Sequence, residues 1–384
     1  MAPPKSYLWQ LSRWPAVSWD PARAAPPIAA ARRAQGLLEG KAAAIGLPQH
    51  AEVVTEALAQ EVLATAAIEG ERLNPSAVRS SVLRQLGVAD SGPRDRHVDG
   101  LVQVISDATE ACDLPLDHDR LFRWHSALFP GGTSGITRIA VGRYRDHPDP
   151  MQIVSGLPGR EKVHYEAPPS RDVSREMDLF LQWFAATAPL QGQEAVIDGL
   201  TRAAIAHLWF ETIHPFEDGN GRLGRAIVDM ALAQDQGRPV RLYSLSGQLL
   251  AARSEYYDAL NRAQCGDGDV TVWVCWFAGQ LASACASAGA VIDRAIEKNR
   301  FWTRHAQALL VDRQRKVLQR LLDAGDGGFL GGLSAEKYIK MTGVSKATAT
   351  RDLVQMVEQS LLRAAGEGKA RRYYLEVPGW THGL

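Results

Sequence analysis

The run His214-Pro215-Phe216-Glu217-Asp218-Gly219-Asn220-Gly221-Arg222-Leu223-Gly224-Arg225 allows few local structures. Upstream, residues 195–210 carry Val196, Leu200, Ala204 and Leu208 at the spacing of one helix face, with Gly199 as an internal weak point. Pro215 lacks an N–H and its ring clashes with a preceding turn, so the helix ends and His214 is expected at its end, exposed at a chain reversal. Downstream, Leu223, Ala226, Ile227, Met230 and Ala231 line one face of a second helix. Gly219-Asn220-Gly221 then opens a helix N-terminus, where free N–H groups and the positive end of the macrodipole attract anions.

Each residue type in the run has a chemical task. Glycines let the backbone approach phosphate oxygens and adopt positive φ. Arg222 and Arg225, three apart, offer permanently charged forks to separate phosphates. Asp218 is placed to hold Mg²⁺, which favours one or two carboxylates plus phosphate oxygens. A histidine side chain suits removal of a hydroxyl proton near neutrality, and His214 supplies one. The plainer alternative is a loop histidine beside a structural Asp–Arg network.

The segment resembles the Fic-domain signature, His-x-Phe-x-(Asp/Glu)-Gly-Asn-Gly-Arg-x-x-Arg, and every specified position matches. Fic enzymes mostly transfer AMP from ATP to a protein hydroxyl. The resemblance implies His214 as the catalytic base, Asp218 as the Mg²⁺ ligand, and Gly219, Asn220 and Gly221 as the phosphate cradle. It implies Arg222 and Arg225 as the β- and γ-phosphate grips, and adds Thr212, Ile213, Leu223 and Gly224 to the ATP-binding set.

Far upstream, residues 51–68 read as a helix with Val54, Leu58, Val62 and Thr65 or Ile68 along one face. Gly70 supplies its stop, and Asn74-Pro75 starts the next helix as cap and first-turn proline. Glu69 therefore sits where the macrodipole disfavours negative charge, and calls for a cationic partner, a function or plain solvation. Thr65-x-x-x-Glu69-Gly70 resembles the inhibitory motif (Ser/Thr)-x-x-x-Glu-(Gly/Asn) of Fic proteins that carry their own brake. That resemblance implies a pair between Glu69 and Arg225 that denies the arginine to the γ-phosphate.

Other segments are less specific. Tyr7, Trp9, Trp14 and Trp19 read as apolar anchors for an opening extended segment. Gly142-Arg143-Tyr144-Arg145, Met151-Gln152-Ile153-Val154, a turn at 156–159 and Val163-His164-Tyr165 read as a β-hairpin, which resembles the Fic flap that clamps the modified target. His164 is expected on the flap surface. Tyr257 and Asn261, four apart on one helix face, suit a flat contact and a hydrogen bond to adenosine. Residues 306–322 are amphipathic, 325–332 glycine-rich, and 335–342, Gly343 and 345–358 read as helix, turn and helix. A wing and strand at 366–375 completes the pattern of a winged helix. Its Lys346, Arg351, Lys369, Arg371 and Arg372 suit DNA contact, protein contact or dimer support equally.

The expected architecture is mainly α: a Fic-type helical core with a β-hairpin flap, an N-terminal helical module and a C-terminal winged helix. The divisions are 1–90 with an inhibitory helix at about 51–70, 91–304, and 305–384, with a boundary in the turn-rich stretch 87–96. The net charge is zero, so nothing global demands a nucleic-acid or anionic-membrane partner. Cys112, Cys265, Cys275 and Cys285 show no zinc spacing and are expected as free thiols. No apolar run is expected to reach membrane-spanning length, and the start lacks a hydrophobic signal core, which points to the cytoplasm. The functional expectation is a self-inhibited protein adenylyltransferase that uses ATP and Mg²⁺ on a protein Ser, Thr or Tyr hydroxyl, including its own. A de-AMPylase using Glu69 and a DNA-binding regulator with a nucleotide-sensing module are the alternatives, and a homodimer is left open.

Overall fold

The computed structural model of the chain describes residues 6–45, 47–88, 92–155, 162–189, 195–237, 241–324, 329, 331–377 and 380. The expected hairpin turn at 156–159 and most of the loop at 325–332 lie outside them, as do residues 1–5 and 89–91 of the expected boundary stretch. The fold is mostly helical, and the chain divides into two compact units, Met1–Gly289 and Ala290–Leu384.

In the first unit, helices α1 (Pro21–Ala43), α2 (Leu47–Ile68) and α3 (Pro75–Gln85) come first. Asp20 and Asn74 cap α1 and α3, each followed by a proline at the first helical position, where a missing N–H costs nothing. The anchoring tryptophans do more than bury area. Trp14 donates from its indole N–H to Glu176 Oε2 at 2.7 Å and packs edge-on to Trp209, while Trp9 donates to the Glu166 carbonyl at 2.8 Å.

Next come α4 (Arg96–Glu110), α5 (His118–Leu128), a small hairpin β1–β2 (Thr133–Ser134, Thr137–Arg138) and a second hairpin β3–β4 (Gln152–Ser155, Lys162–Glu166). The β3–β4 register runs antiparallel from Gln152↔Glu166 to Ser155↔Lys162, with a bulge between Ile153 and Val154. Gly142–Arg145, expected in this hairpin, is not a strand. The buried Arg145 side chain instead turns inward to bind helix-end carbonyls.

Helices α6 (Val173–Ala186), α7 (Gly199–Ile213), α8 (Asn220–Gln236), α9 (Leu245–Ala251) and α10 (Arg253–Gln264) follow. Every residue of α7 is buried, as expected for the central helix of a bundle. It starts later than its apolar spacing predicts. Asp198 accepts hydrogen bonds from the Leu200 and Thr201 amides and so fixes the cap, leaving Val196 outside the helix and exposed. Gly199 is therefore the first residue of the helix, not an internal flaw, and a Cβ there would collide with Asp235. The inward polar side chain Arg202 is satisfied by Thr187, Gln234 and the Phe184 carbonyl.

Against this centre, α2 packs on α8 and α9. Buried Glu61 of α2 accepts from Ser244 Oγ and the Ser246 amide and pairs with Arg241 at 2.9 Å; Arg241 also pairs with Asp229 of α8. This polar anchor fixes the helix that ends at Ile68, immediately before Glu69.

Helix α11 (Thr271–Arg304) is long and apolar enough, by length and composition, to cross a membrane. The reading of the sequence missed that, because polar residues interrupt the apolar ones. Trp273, Val274, Phe277 and Leu281 of this helix are buried within the first unit.

The second unit holds α12 (Asp312–Ala324), α13 (Ala335–Thr342), α14 (Lys346–Glu358) and the hairpin β5–β6 (Leu362–Ala365, Arg372–Leu375). Leu333 bridges antiparallel to Tyr373, and Phe301, Leu318, Tyr338, Leu353 and Met356 share one core. The amphipathic stretch expected from residue 306 begins later, because α11 runs to Arg304 and turns precede Asp312. Gly343 ends α13 at φ +72°, and Ser345 caps α14.

Candidate active site

Two helix ends build the site. Helix α7 stops at Ile213, and His214 takes a left-handed backbone, φ 50°, ψ 62°. For a residue with a Cβ this costs about 1–3 kcal/mol and persists only where surroundings over-determine it. Arg145 supplies that constraint. Its Nε donates to the His214 carbonyl at 2.8 Å, and its Nη2 to the Pro168 and Ile213 carbonyls. A cation on these carbonyls also complements the negative end of the α7 dipole. Burial depresses the Arg145 guanidinium to about 10, so it stays charged at neutral pH.

The His214 side chain is only 14% exposed. The expected exposed imidazole is thus corrected: the left-handed turn folds the ring inward, with Nδ1 buried and 3.6 Å from Glu211 Oε2.

At the start of α8, Gly219 has φ +82° and no side-chain cap among the described residues, so the first-turn amides remain available to an anion. Asn220 closes the loop: its Oδ1 accepts from the Phe216 amide at 2.9 Å and its Nδ2 donates to the Phe216 carbonyl at 2.8 Å. Below the loop lies His125, stacked on Phe216 at 4.2 Å. The Gly142 amide donates to its Nδ1, so its Nε2 carries the proton given to the Asp218 carbonyl at 3.1 Å. Burial lowers His125 to about 4 and keeps it neutral.

Asp218 itself keeps 41% side-chain exposure beside the helix N-terminus. Its oxygens meet Ser134 Oγ of β1, the Gly219 amide, and Arg222 at 3.6 Å. An accessible hard oxygen donor next to an anion cradle fits Mg²⁺. The described residues hold no cluster of three or more His, Cys, Asp or Glu side chains, so such an ion would draw its remaining ligands from phosphate and water.

The arginines are already engaged. Arg225, 3% exposed, donates to Glu69 Oε1 at 2.8 Å, to Thr65 Oγ1 at 2.7 Å and to the Thr65 carbonyl at 3.0 Å. Burial pulls its guanidinium down, and Glu69, with Tyr256 and Glu211, more than reverses this, leaving it raised. A Cβ on Gly221 would overlap Glu69 Oε1, so that glycine makes room for the carboxylate. Arg222 lies over the Phe129 ring and pairs with Glu71 Oε2 at 3.1 Å. Glu71 escaped the reading of the sequence; two carboxylates flanking Gly70, opposite two arginines, were the available signal.

Thr212, Ile213 and Leu223 have buried side chains, and Gly224 packs over Glu211 and His207. The Thr212 carbonyl accepts from Tyr165 Oη at 2.6 Å, which sets β4 beside the last turn of α7. Asn261 donates to the His164 carbonyl of β4 at 2.9 Å, and half-buried His164 lies on that strand. Tyr257 Oη and Arg253 Nε both donate to the Ile68 carbonyl, at 3.2 and 3.0 Å, so the tyrosine expected beside adenosine also holds the end of α2.

Residues 115–232 match the Fic/DOC family, and residues 7–88 match a domain of unknown function, DUF4172. The chain carries a Fic domain. It is 39% identical over 71 residues to protein adenylyltransferase fic-1 of Caenorhabditis elegans, covering 18% of this chain and 13% of the relative. It is 23% identical over 219 residues to protein adenylyltransferase Fic of Nematostella vectensis, covering 56% and 45%. The chain thus spans less than half the length of these curated relatives. In fold it is similar to a Fic family protein from Desulfovibrio desulfuricans G20, with a TM-score of 0.51, 21% identity, and 91% and 96% of the two chains covered. It is also similar to a Fic domain containing signaling protein from Bacteroides thetaiotaomicron, with a TM-score of 0.52, 16% identity, and 69% and 97% covered.

Proposed function

We propose that this chain is a self-inhibited protein adenylyltransferase. The observation that carries the reading is the convergence, on one loop, of an inward-held His214, an uncapped helix N-terminus and two arginines each occupied by a carboxylate. The naming of its relatives as protein adenylyltransferases supports it.

In the reaction, a Ser, Thr or Tyr oxygen of the target attacks the α-phosphorus of ATP and His214 takes its proton. The bond from the α-phosphorus to the bridging oxygen breaks, and pyrophosphate leaves. The first-turn amides of α8 and Arg222 offset the charge that grows on the leaving group. Mg²⁺, held by Asp218, would supply further neutralisation of phosphate charge. The β3–β4 hairpin, tied through Tyr165 to the last turn of α7, offers a strand edge on which an extended target segment can lie.

The brake has two arms. Glu69 occupies Arg225, and Glu71 occupies Arg222, so both phosphate grips are filled from the turn after α2. ATP bound without these grips lies out of line with the attacking hydroxyl. Incubation with ATP labelled at the α-phosphate tests the reading: label is expected on protein, and its loss in His214→Ala. Release of AMP from a pre-adenylylated protein, with no transfer, would replace it with the de-AMPylase reading.

A second reading concerns Ala290–Leu384. This stretch has sixteen Lys and Arg against ten Asp and Glu, a net +6 in a chain of net zero. Its α13–α14 pair and β5–β6 hairpin follow the order of a winged helix, with exposed Lys346 at the start of α14 and exposed Arg351 further along it. That asymmetry supports an added contact with nucleic-acid phosphates. Salt-sensitive retention on duplex DNA, lost in Lys346→Glu/Arg351→Glu, is the expected result; unchanged retention in that variant removes the reading.

A further inference from the structure

Glu211 lies one helical turn before His214, and the proposed transfer gives it no task. Its side chain is buried in the centre of the first unit. Oε2 stands 3.6 Å from His214 Nδ1, and Oε1 has no hydrogen-bond partner among the described residues. The groups that face it come from several elements: His207 one turn before it and His214 one turn after, Arg225 of α8, and beyond them Glu69 and Tyr256. Burial pushes its carboxyl up, but the contact with His214 and the charge of Arg225 hold it below the usual carboxylate range, so it is an anion at neutral pH. His207 is kept neutral by burial, at about 4, with Nε2 2.7 Å from Tyr256 Oη. Gly224 makes the space: a Cβ there would stand 2.5 Å from Glu211 Oε1.

A buried anion that merely filled structure would be saturated with hydrogen bonds. This one keeps Oε1, beside Gly224, without a partner among the described residues and turns Oε2 toward an imidazole whose backbone is held in a strained conformation. We propose that Glu211 is the positioning residue of the His214 base. Its carboxylate selects the tautomer with the proton on Nδ1, which leaves the Nε2 lone pair for the substrate hydroxyl. When Nε2 takes the hydroxyl proton, the same carboxylate stabilises the imidazolium and Nδ1–H stays in place. Because Nδ1 is buried while the side chain keeps some exposure, the accessible part of the ring is away from Nδ1. The separation of 3.6 Å closes to a hydrogen bond as the ring becomes cationic.

The catalytic meaning of this role rests on the AMP-transfer reading, but its structural content can be tested without activity. In ¹⁵N-histidine-labelled protein, the His214 signals are assigned by their loss in His214→Ala. The nitrogen shifts are expected to report the Nδ1–H tautomer in the parent and a mixture of tautomers in Glu211→Gln. An unchanged tautomer in Glu211→Gln overturns the proposal whether or not the protein transfers AMP. In a Glu69→Gly background, Glu211→Gln is expected to lower kcat by roughly a hundredfold while KM for ATP stays within about twofold. Equal loss in both parameters would assign Glu211 to scaffold. Should Glu211→Gln fail to fold, Glu211→Asp keeps the charge at greater distance and is expected to retain the tautomer with a smaller fall in kcat; loss of the tautomer there would contradict the role.

Discussion

Replacing Glu69 by glycine is the perturbation with the clearest structural arithmetic. Arg225 is 3% exposed and holds one charged and two neutral acceptors, Glu69 Oε1, Thr65 Oγ1 and the Thr65 carbonyl. Removing one partner of a fully buried pair costs about 3–5 kcal/mol, because a desolvated charge is left behind. Glu69 is 33% exposed, so solvent screening reduces the figure to about 1.5–3 kcal/mol. On the proposed reading the γ-phosphate must displace the same interaction, and the brake is then expected to lower the productive complex by roughly ten- to a hundredfold. Glu69→Gly is expected to raise incorporation of labelled AMP by that factor. Its melting temperature without nucleotide should fall, and ATP with Mg²⁺ should restore part of the loss by binding the freed arginine. Adding Arg225→Ala should abolish the gain. Adding Glu71→Ala should increase it by about two- to fivefold, since Glu71 is 41% exposed and such a pair is worth about 1 kcal/mol or less. Transfer and melting both unchanged in Glu69→Gly would refute the reasoning, and a hyperactive Glu69→Gly/Arg225→Ala protein would move the brake to another contact.

Four further outcomes are expected. His214→Ala should keep ATP binding by calorimetry and lose about two orders of magnitude or more in transfer; near-parental transfer would remove the assigned base. Asp218→Ala should lose Mg²⁺-dependent transfer in a chelator titration, whereas a role limited to the Ser134 contact would leave metal dependence intact. Arg145→Met should unfold at lower urea, by about 2–4 kcal/mol, because four acceptors including the His214 and Ile213 carbonyls lose their donor; stability equal to the parent would show that burial of the charge cancels its bonds. His125 and His207, both lowered to about 4 by burial, favour the neutral folded form. Their contribution is present above about pH 6.5 and is lost as pH falls toward 4, by up to about 3 kcal/mol each. Urea midpoints between pH 7 and pH 4.5 should show that fall, with a shallower slope in His125→Phe.

The helices around the signature were legible because Pro215 and Gly219 punctuate two strong apolar periodicities. The α13–Gly343–α14 unit was legible for the same reason, with Ser345 as its cap. Glu69 and Arg225 could be paired only through resemblance, since 156 positions separate them and periodicity carries no such distance. The start of α7 was misplaced because Val196 fits the helical spacing, while the Asp198 cap that overrides it is a single side chain. Arg145 was hidden for a related reason: its neighbours Gly142 and Tyr144 suit a strand, and the carbonyls it binds belong to a helix end nearly seventy residues away. Burial of His214 followed from a left-handed backbone that Pro215 permits but does not announce.

Intact-mass spectrometry of the Glu69→Gly protein after incubation with ATP and Mg²⁺ tests the central claim most directly. A gain of one or more adenylyl groups is expected, absent when His214→Ala is added, and label placed on the γ-phosphate should leave with pyrophosphate. A mass gain of a single phosphoryl group, retention of γ-label on the protein, or no gain at all would contradict the account.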